Sequence, residues 1–200
     1  MIDQIQIRGF KSIENVVFEP GRVNVLIGAN GSGKSNLLEA LGVLSAAVSG
    51  RVDDEALLRR GVRPGVPALY KCSFPDIKAP PHIFFGARQQ SVSFEVSLYN
   101  PIETPSPIWR YHTEGLKKGN TVSFGRSHRM ANKFNPEAGL IASKMVEMKD
   151  KETLRFLSML RDFAIYTPDT QVLRGIVTDA QQRPPIGLSG GQLAIAVADI

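Results

Sequence analysis

Polar and apolar positions alternate from the first residues: Ile5 and Ile7 stand between Gln4 and Gln6, the period of a strand with one buried face. Arg8-Gly9-Phe10-Lys11-Ser12 then turns the chain, and a second extended stretch, Ile13 to Phe18, leads to the turn residues Pro20-Gly21. Val23-Asn24-Val25-Leu26-Ile27 is a short, mainly apolar run that ends directly at Gly28, and it reads as a buried central strand. From Asn36 to Val48 apolar residues fall nearly all round a helical period, so a mostly buried helix is expected, with Gly50 as its stop. Arg51 to Pro81 is rich in Arg, Gly and Pro and predicts an irregular excursion with at most a short helix at Asp53 to Arg60.

Alternation returns at Phe84-Phe85, Ser91 to Leu98, Ile108 to His112 and Thr121 to Phe124, with turn residues between, which predicts an antiparallel set. Leu140 to Met148 and Lys151 to Phe163 have helical spacing, the second with Leu154, Leu157, Leu160 and Phe163 on one face. Pro168 ends that run, and Leu193 to Ala198 closes the pattern as an alanine-rich helix. The fold class expected is α/β, with an antiparallel β insert over 84–133 and a helical subdomain over 140–200. Residues 1–50 form its N-terminal core, and all of 1–200 is read as one domain.

Composition narrows this picture. With 42% hydrophobic and 22% charged residues in 200, the chain suits one folded domain with a sizeable core. No run approaches the ~18 apolar residues of a membrane span, and Met1 to Arg8 carries no apolar leader, so a cytoplasmic protein with no membrane segment is expected. The single cysteine, Cys72, excludes an internal disulfide and reads as a small core residue. The formal charge is +5, and one stretch accounts for all of it: Arg110, Lys117, Lys118, Arg126, Arg129 and Lys133 against Glu114. Those six cations, largely on a predicted hairpin, are the candidate nucleic-acid contacts, the alternative being a solvated face.

The strongest chemical signal is Gly28-Ala29-Asn30-Gly31-Ser32-Gly33-Lys34-Ser35, a Walker A pattern between a predicted strand and a predicted helix. Its glycines let successive N–H groups converge on the β- and γ-phosphates, and the helix N-terminus adds positive potential there. Lys34 supplies a point charge and the Ser35 hydroxyl a ligand for Mg2+, so ATP and Mg2+ are the cofactors expected, with Lys34 and Ser35 as the catalytic candidates. Far downstream, Leu188-Ser189-Gly190-Gly191-Gln192 precedes the last helix and reads as a small-residue turn offering Ser189 and nearby N–H groups to an anion.

Taken together these two motifs, the Walker A loop and Leu188 to Gln192 as the signature motif, resemble the ABC-type ATPases, which implies a P-loop NTPase fold with an ABC/SMC-head-like mixed sheet and residues 1–50 as its P-loop core. Within that group, Arg8 to Ser12 and Lys34 to Leu41 look like the RecF, SMC and OLD families of AAA-family P-loop ATPases, the non-transporter branch. The resemblance is dense over about the first fifty residues and again from Tyr166 to Ile200. It implies a head-to-tail homodimer with ATP sandwiched between the heads. Gly28 to Asn36 would hold the nucleotide in cis, and Ser189, Gly190, Gly191 and Gln192 would meet it in trans. It also makes Arg8 and Lys11 candidate nucleotide contacts, and Gln90, with Gln89 beside it, the candidate Mg2+ ligand of a Q-loop. DNA and an effector protein are the partners it suggests, in DNA metabolism or anti-phage defence.

A Walker B strand, four apolar residues followed by Asp and Glu, is needed for hydrolysis and is missing. Ile195 to Asp199 has the right look but falls within the signature helix, and Gly175-Ile176-Val177-Thr178-Asp179 precedes the signature. The expectation is a longer polypeptide continuing past Ile200, an ATPase when complete and inactive over 1–200 alone. Two rivals stand beside it: an ATP sensor that does not hydrolyse, and an ABC transporter subunit.

Overall fold

A computed structural model describes residues 1–72, 74, 81–101, 103–127 and 133–199. Arg129 and Ile200 lie outside the described residues. Six strands form one sheet: β1 (Gln4–Phe10), β2 (Ile13–Phe18), β3 (His82–Gln89), β4 (Val92–Tyr99), β5 (Tyr111–Lys118) and β6 (Thr121–Arg126). Their order is β2-β1-β3-β4-β5-β6, and every neighbouring pair is antiparallel. The N-terminal hairpin and the later strands therefore share one sheet, joined where Ile5 and Ile7 of β1 face Ala87 and Phe85 of β3.

One face of this sheet is the core. Ile5, Ile7, Ile83, Phe85, Phe94, Val96, Leu98 and Leu116 are buried there, each two residues from the next on its strand. Against it lies α1 (Lys34–Val48), whose run from Gly42 to Val48 is fully buried. The hydroxyl of Tyr111 on β5 donates to Ala47 O at 2.9 Å and so pins the end of α1 to the sheet. Behind α1 pack α2 (Asp54–Leu58) and α4 (Lys151–Arg161), the latter through Thr153, Phe156, Leu157 and Leu160. That stripe shares Leu157 and Leu160 with the predicted one; Leu154 is half-buried and Phe163, also half-buried, lies past the end of α4, while Thr153 and Phe156 take their places. The remaining helices are α3 (Leu140–Glu147), α5 (Thr170–Leu173) and α6 (Leu193–Ala198).

Two predicted elements differ. The run Val23 to Ile27 is irregular and open to solvent, with Val23 83% and Ile27 90% exposed. A strand needs a neighbour for its N–H and C=O groups, and among the described residues none pairs with this run, so its apolar content cannot make it one. Expected to begin at Ile108, β5 instead runs Tyr111–Lys118. The polar letters of its second half concealed it. Glu114 is buried because its carboxylate accepts the N–H groups of Leu140 and Ile141, at 2.7 and 2.9 Å, and so caps α3 from across the fold.

Arg126, directly opposite Glu114 on β6, is also buried. Its guanidinium donates to Asn135 O at 3.1 Å and Ala138 O at 2.6 Å and lies over the rings of Tyr111 and Phe134. Glu114 and Arg126 thus fasten the stretch before α3 onto the sheet. Burial holds the Glu114 carboxyl above its ordinary range, with the two N–H groups and Arg126 acting against it.

Candidate functional site

The loop before α1 takes its shape from glycine. Gly31 and Gly33 have φ of 83° and 93°, a region closed in practice to residues with a Cβ, and Gly33 serves as the cap residue of α1. A Cβ on Gly33 would stand 2.9 Å from Ser12 Oγ, so the loop and the turn after β1 approach each other closely. The N–H groups of Lys34, Ser35 and Asn36 head the helix, and no side chain caps them. Residues Asn30 to Asn36 line a cavity of about 210 Å3 at that end. Unpaired donors, a helix dipole and a lysine converge there, the arrangement that binds oligophosphates.

Lys34 folds back over its own loop. Its ammonium donates to Gly28 O at 2.7 Å and Ala29 O at 2.8 Å, with Ser32 Oγ at 3.4 Å. Those are neutral acceptors, and a phosphate anion is a stronger partner for the same ammonium. Asn36 donates to Ser12 Oγ at 2.7 Å and ties the first turn of α1 to the β1–β2 turn. Lys11, in a left-handed conformation with φ 47°, forms an ion pair with Glu39 of α1 and lies over the ring of Tyr70 at 4.6 Å. Arg8 points to the opposite face of the sheet, its guanidinium 4.0 Å over Phe84. Burial, with Glu39 nearby, pushes the Tyr70 phenol up to about 12, so it stays protonated under Lys11.

The downstream loop is built differently. Gly190 has φ of 95°, and every backbone N–H from Ser189 to Leu193 already has a partner inside the chain. The carboxylate of Asp179 is the centre of this arrangement. One oxygen accepts from Ser189 N at 3.0 Å and Gly191 N at 3.1 Å, the other from Gln181 N at 3.0 Å. Burial acts to raise the Asp179 carboxyl, yet the N–H groups of Gln181, Gly191 and Ser189 carry it below its ordinary range. Thr167 N and Asp169 N donate to Leu188 O and Ser189 O, which bind the loop to the segment after α4.

Among the predicted site residues, Asn30 to Asn36 meet around one cavity, with Gly28 and Ala29 holding Lys34 beside it. Ser189 to Gln192 do not line that cavity. Nor does Gln90, which sits in the β3–β4 turn with φ 50° and donates its N–H to Asp3. The candidate cations are dispersed. Arg126 is buried, Lys118 pairs with Asp150 and Glu152 at 2.8 Å each, and Arg110, Lys117 and Lys133 remain exposed. The Lys118 contact holds the Asp150 carboxyl down to about 2. Ser12, Glu39 and Asp179 are the residues that sequence reasoning missed. Asp179 stands ten residues before Ser189, and no local spacing marks such a contact.

Among the described residues no helix is long and apolar enough to cross a membrane, and no group of His, Cys, Asp and Glu could hold a metal ion. A family model described as "AAA domain, putative AbiEii toxin, Type IV TA system" matches residues 23–141, from the exposed apolar run through the loop, α1, α2 and strands β3 to β6. Curated relatives are DNA replication and repair proteins RecF. That of Renibacterium salmoninarum is 44% identical over 61 residues, 30% of this chain and 15% of that protein. The one from Magnetococcus marinus is 43% identical over 65 residues, 32% of this chain and 17% of that protein. The protein of Leifsonia xyli is 53% identical over 47 residues, 23% and 12% of the two lengths. The chain thus aligns with less than a fifth of the length of these relatives.

Proposed function

The chain belongs to the AAA-domain family whose model it matches, with the resemblance to RecF/SMC-like, ABC-type P-loop ATPases borne out, and on that premise we propose that it binds Mg-ATP at Gly28 to Asn36. The observation that carries this is the uncapped N-terminus of α1 behind two left-handed glycines, with Lys34 folded over the same point. Lys34 would exchange its two carbonyl partners for β- and γ-phosphate oxygens, and Ser35 would ligate Mg2+. Hydrolysis is the activity proposed for the whole protein, in DNA metabolism or defence, with ATP held between two heads and Ser189 to Gln192 facing it from the second subunit. For the nucleic-acid part, Arg110, Lys117 and Lys133 are the exposed cations that support it. An equilibrium titration with a fluorescent ATP analogue tests the core of this reading. Saturable binding that weakens when Mg2+ is withheld is expected; no saturable binding at millimolar nucleotide would refute it.

A second reading is a nucleotide sensor that turns over slowly or not at all. The occupancy of the signature loop by Asp179 supports it, because the loop then has a stable form without nucleotide. In that reading ATP-driven pairing of heads must displace an internal carboxylate, which makes pairing a switch.

A further inference from the structure

The cavity of about 210 Å3 at the phosphate loop is not the largest among the described residues. One of about 420 Å3 lies at the other end of α1, where Ser49 meets α2 and the segment that leads toward the signature loop. Its size falls in the range of small-ligand sites. At 1.5 Å per residue the fifteen residues of α1 put roughly 22 Å between the two cavities.

Five guanidinium groups line it, Arg51, Arg59, Arg60, Arg161 and Arg183, against three carboxylates. Each carboxylate is matched by one arginine: Asp53 by Arg51 at 2.7 Å, Glu55 by Arg59, and Asp162 by Arg161 at 3.6 Å. Arg60 and Arg183 have no carboxylate partner among the described residues. Arg60 is 6% exposed and is held by neutral oxygens alone, Ser45 Oγ at 2.7 Å, Ala56 O at 2.8 Å and Ser49 Oγ at 2.5 Å. Arg183 is held by Arg59 O at 2.8 Å and Asp162 O at 2.9 Å. Burial, together with the neighbouring Arg183 and Arg59, pushes Arg60 down to about 10, as expected of a cation short of counter-charge. Two fixed positive charges therefore stand unneutralised in one concave site.

We propose that this cleft is a second anion site, which takes a compact ligand carrying two or more phosphate groups. Forked guanidinium groups suit phosphate oxygens, and several converging on one point suit a multivalent anion. A nucleic-acid strand suits the cleft less well, since Asp53 and Glu55 line it and a long polyanion that runs past the arginines would meet their carboxylates. The ligand would bridge Arg59, at the end of α2, to Arg161 and Arg183, and so clamp the segment that carries Asp179 and the signature loop. The inference does not depend on the phosphate-loop reading.

Calorimetric titration of inorganic pyrophosphate into the Lys34→Ala chain tests it, since that background weakens the first site. One binding event per chain is expected, weakened about tenfold or more by Arg59→Gln and again by Arg183→Gln. Arg183→Gln could loosen the 161–188 segment, so Arg51→Gln with Arg59→Gln, both on exposed side chains, serves as the fold-neutral pair, with thermal melting as the check. No heat with pyrophosphate in Lys34→Ala overturns the proposal, as does binding indifferent to the Arg51 and Arg59 changes. A single-stranded oligonucleotide that binds as tightly and loses affinity to the same substitutions also overturns it, in favour of a nucleic-acid contact.

Discussion

Two loops in this chain present backbone N–H groups at the start of a helix, and they are in opposite states. The loop at Gly28 to Ser35 leaves its helix uncapped, with only neutral oxygens on Lys34. The loop at Leu188 to Gln192 is satisfied throughout by Asp179 and by carbonyls of the chain. A ligand therefore meets ready donors at the first loop but must replace an internal anion at the second. Similar letters, rich in Gly and Ser, give one site that waits for phosphate and one that holds a substitute for it.

The largest effect expected is at Lys34. Lys34→Ala removes the mobile charge and should weaken ATP binding about a hundredfold or more, near 3 kcal/mol, with an unchanged melting temperature for the free chain. Unaltered affinity in that variant would erase the distinction between the loops. Next comes Asp179→Ala, which strands two signature N–H groups and that of Gln181 and should cost about 2 kcal/mol of local stability, read as faster amide exchange over 187–192. Exchange as slow as in the parent chain would mean that Asp179 does not hold the loop. Ser12→Ala removes the acceptor of the Asn36 bond and should cost about 1 kcal/mol, and loosen the first turn of α1 without touching the signature.

The smallest effect is with pH. The folded Asp179 carboxyl lies below its ordinary range, so its contribution is complete above the unfolded value of ~3.9 and fades as pH falls through the lower folded value. Protection factors over 187–192 should therefore fall on acidification below about pH 4, followed residue by residue by NMR. Protection unchanged down to pH 2 would argue that the loop holds without the carboxylate.

How legible these features were depends on the range of the interactions that make them. The phosphate loop was readable because its glycines, lysine and helix are contiguous, and the hairpin strands because alternation is local. The state of the signature loop was not, since Asp179 acts through a turn that no spacing rule marks. Likewise Glu114 and Arg126 read as members of an exposed basic hairpin, either a nucleic-acid contact or a solvated face, yet each is buried against backbone groups that come from residues 135–141. Val23 to Ile27 failed in the other sense. Its apolar letters describe a strand, but a strand is a pair property, and no partner for it is among the described residues.

Amide hydrogen exchange of the chain, kept dilute enough to stay monomeric, with and without saturating Mg-ATP tests the central claim most directly. The account predicts new protection at residues 30–36 and none at 187–192, because a single chain offers ATP the first loop and keeps the second closed on Asp179. Protection that appears at 187–192 while 30–36 remain unchanged would contradict it.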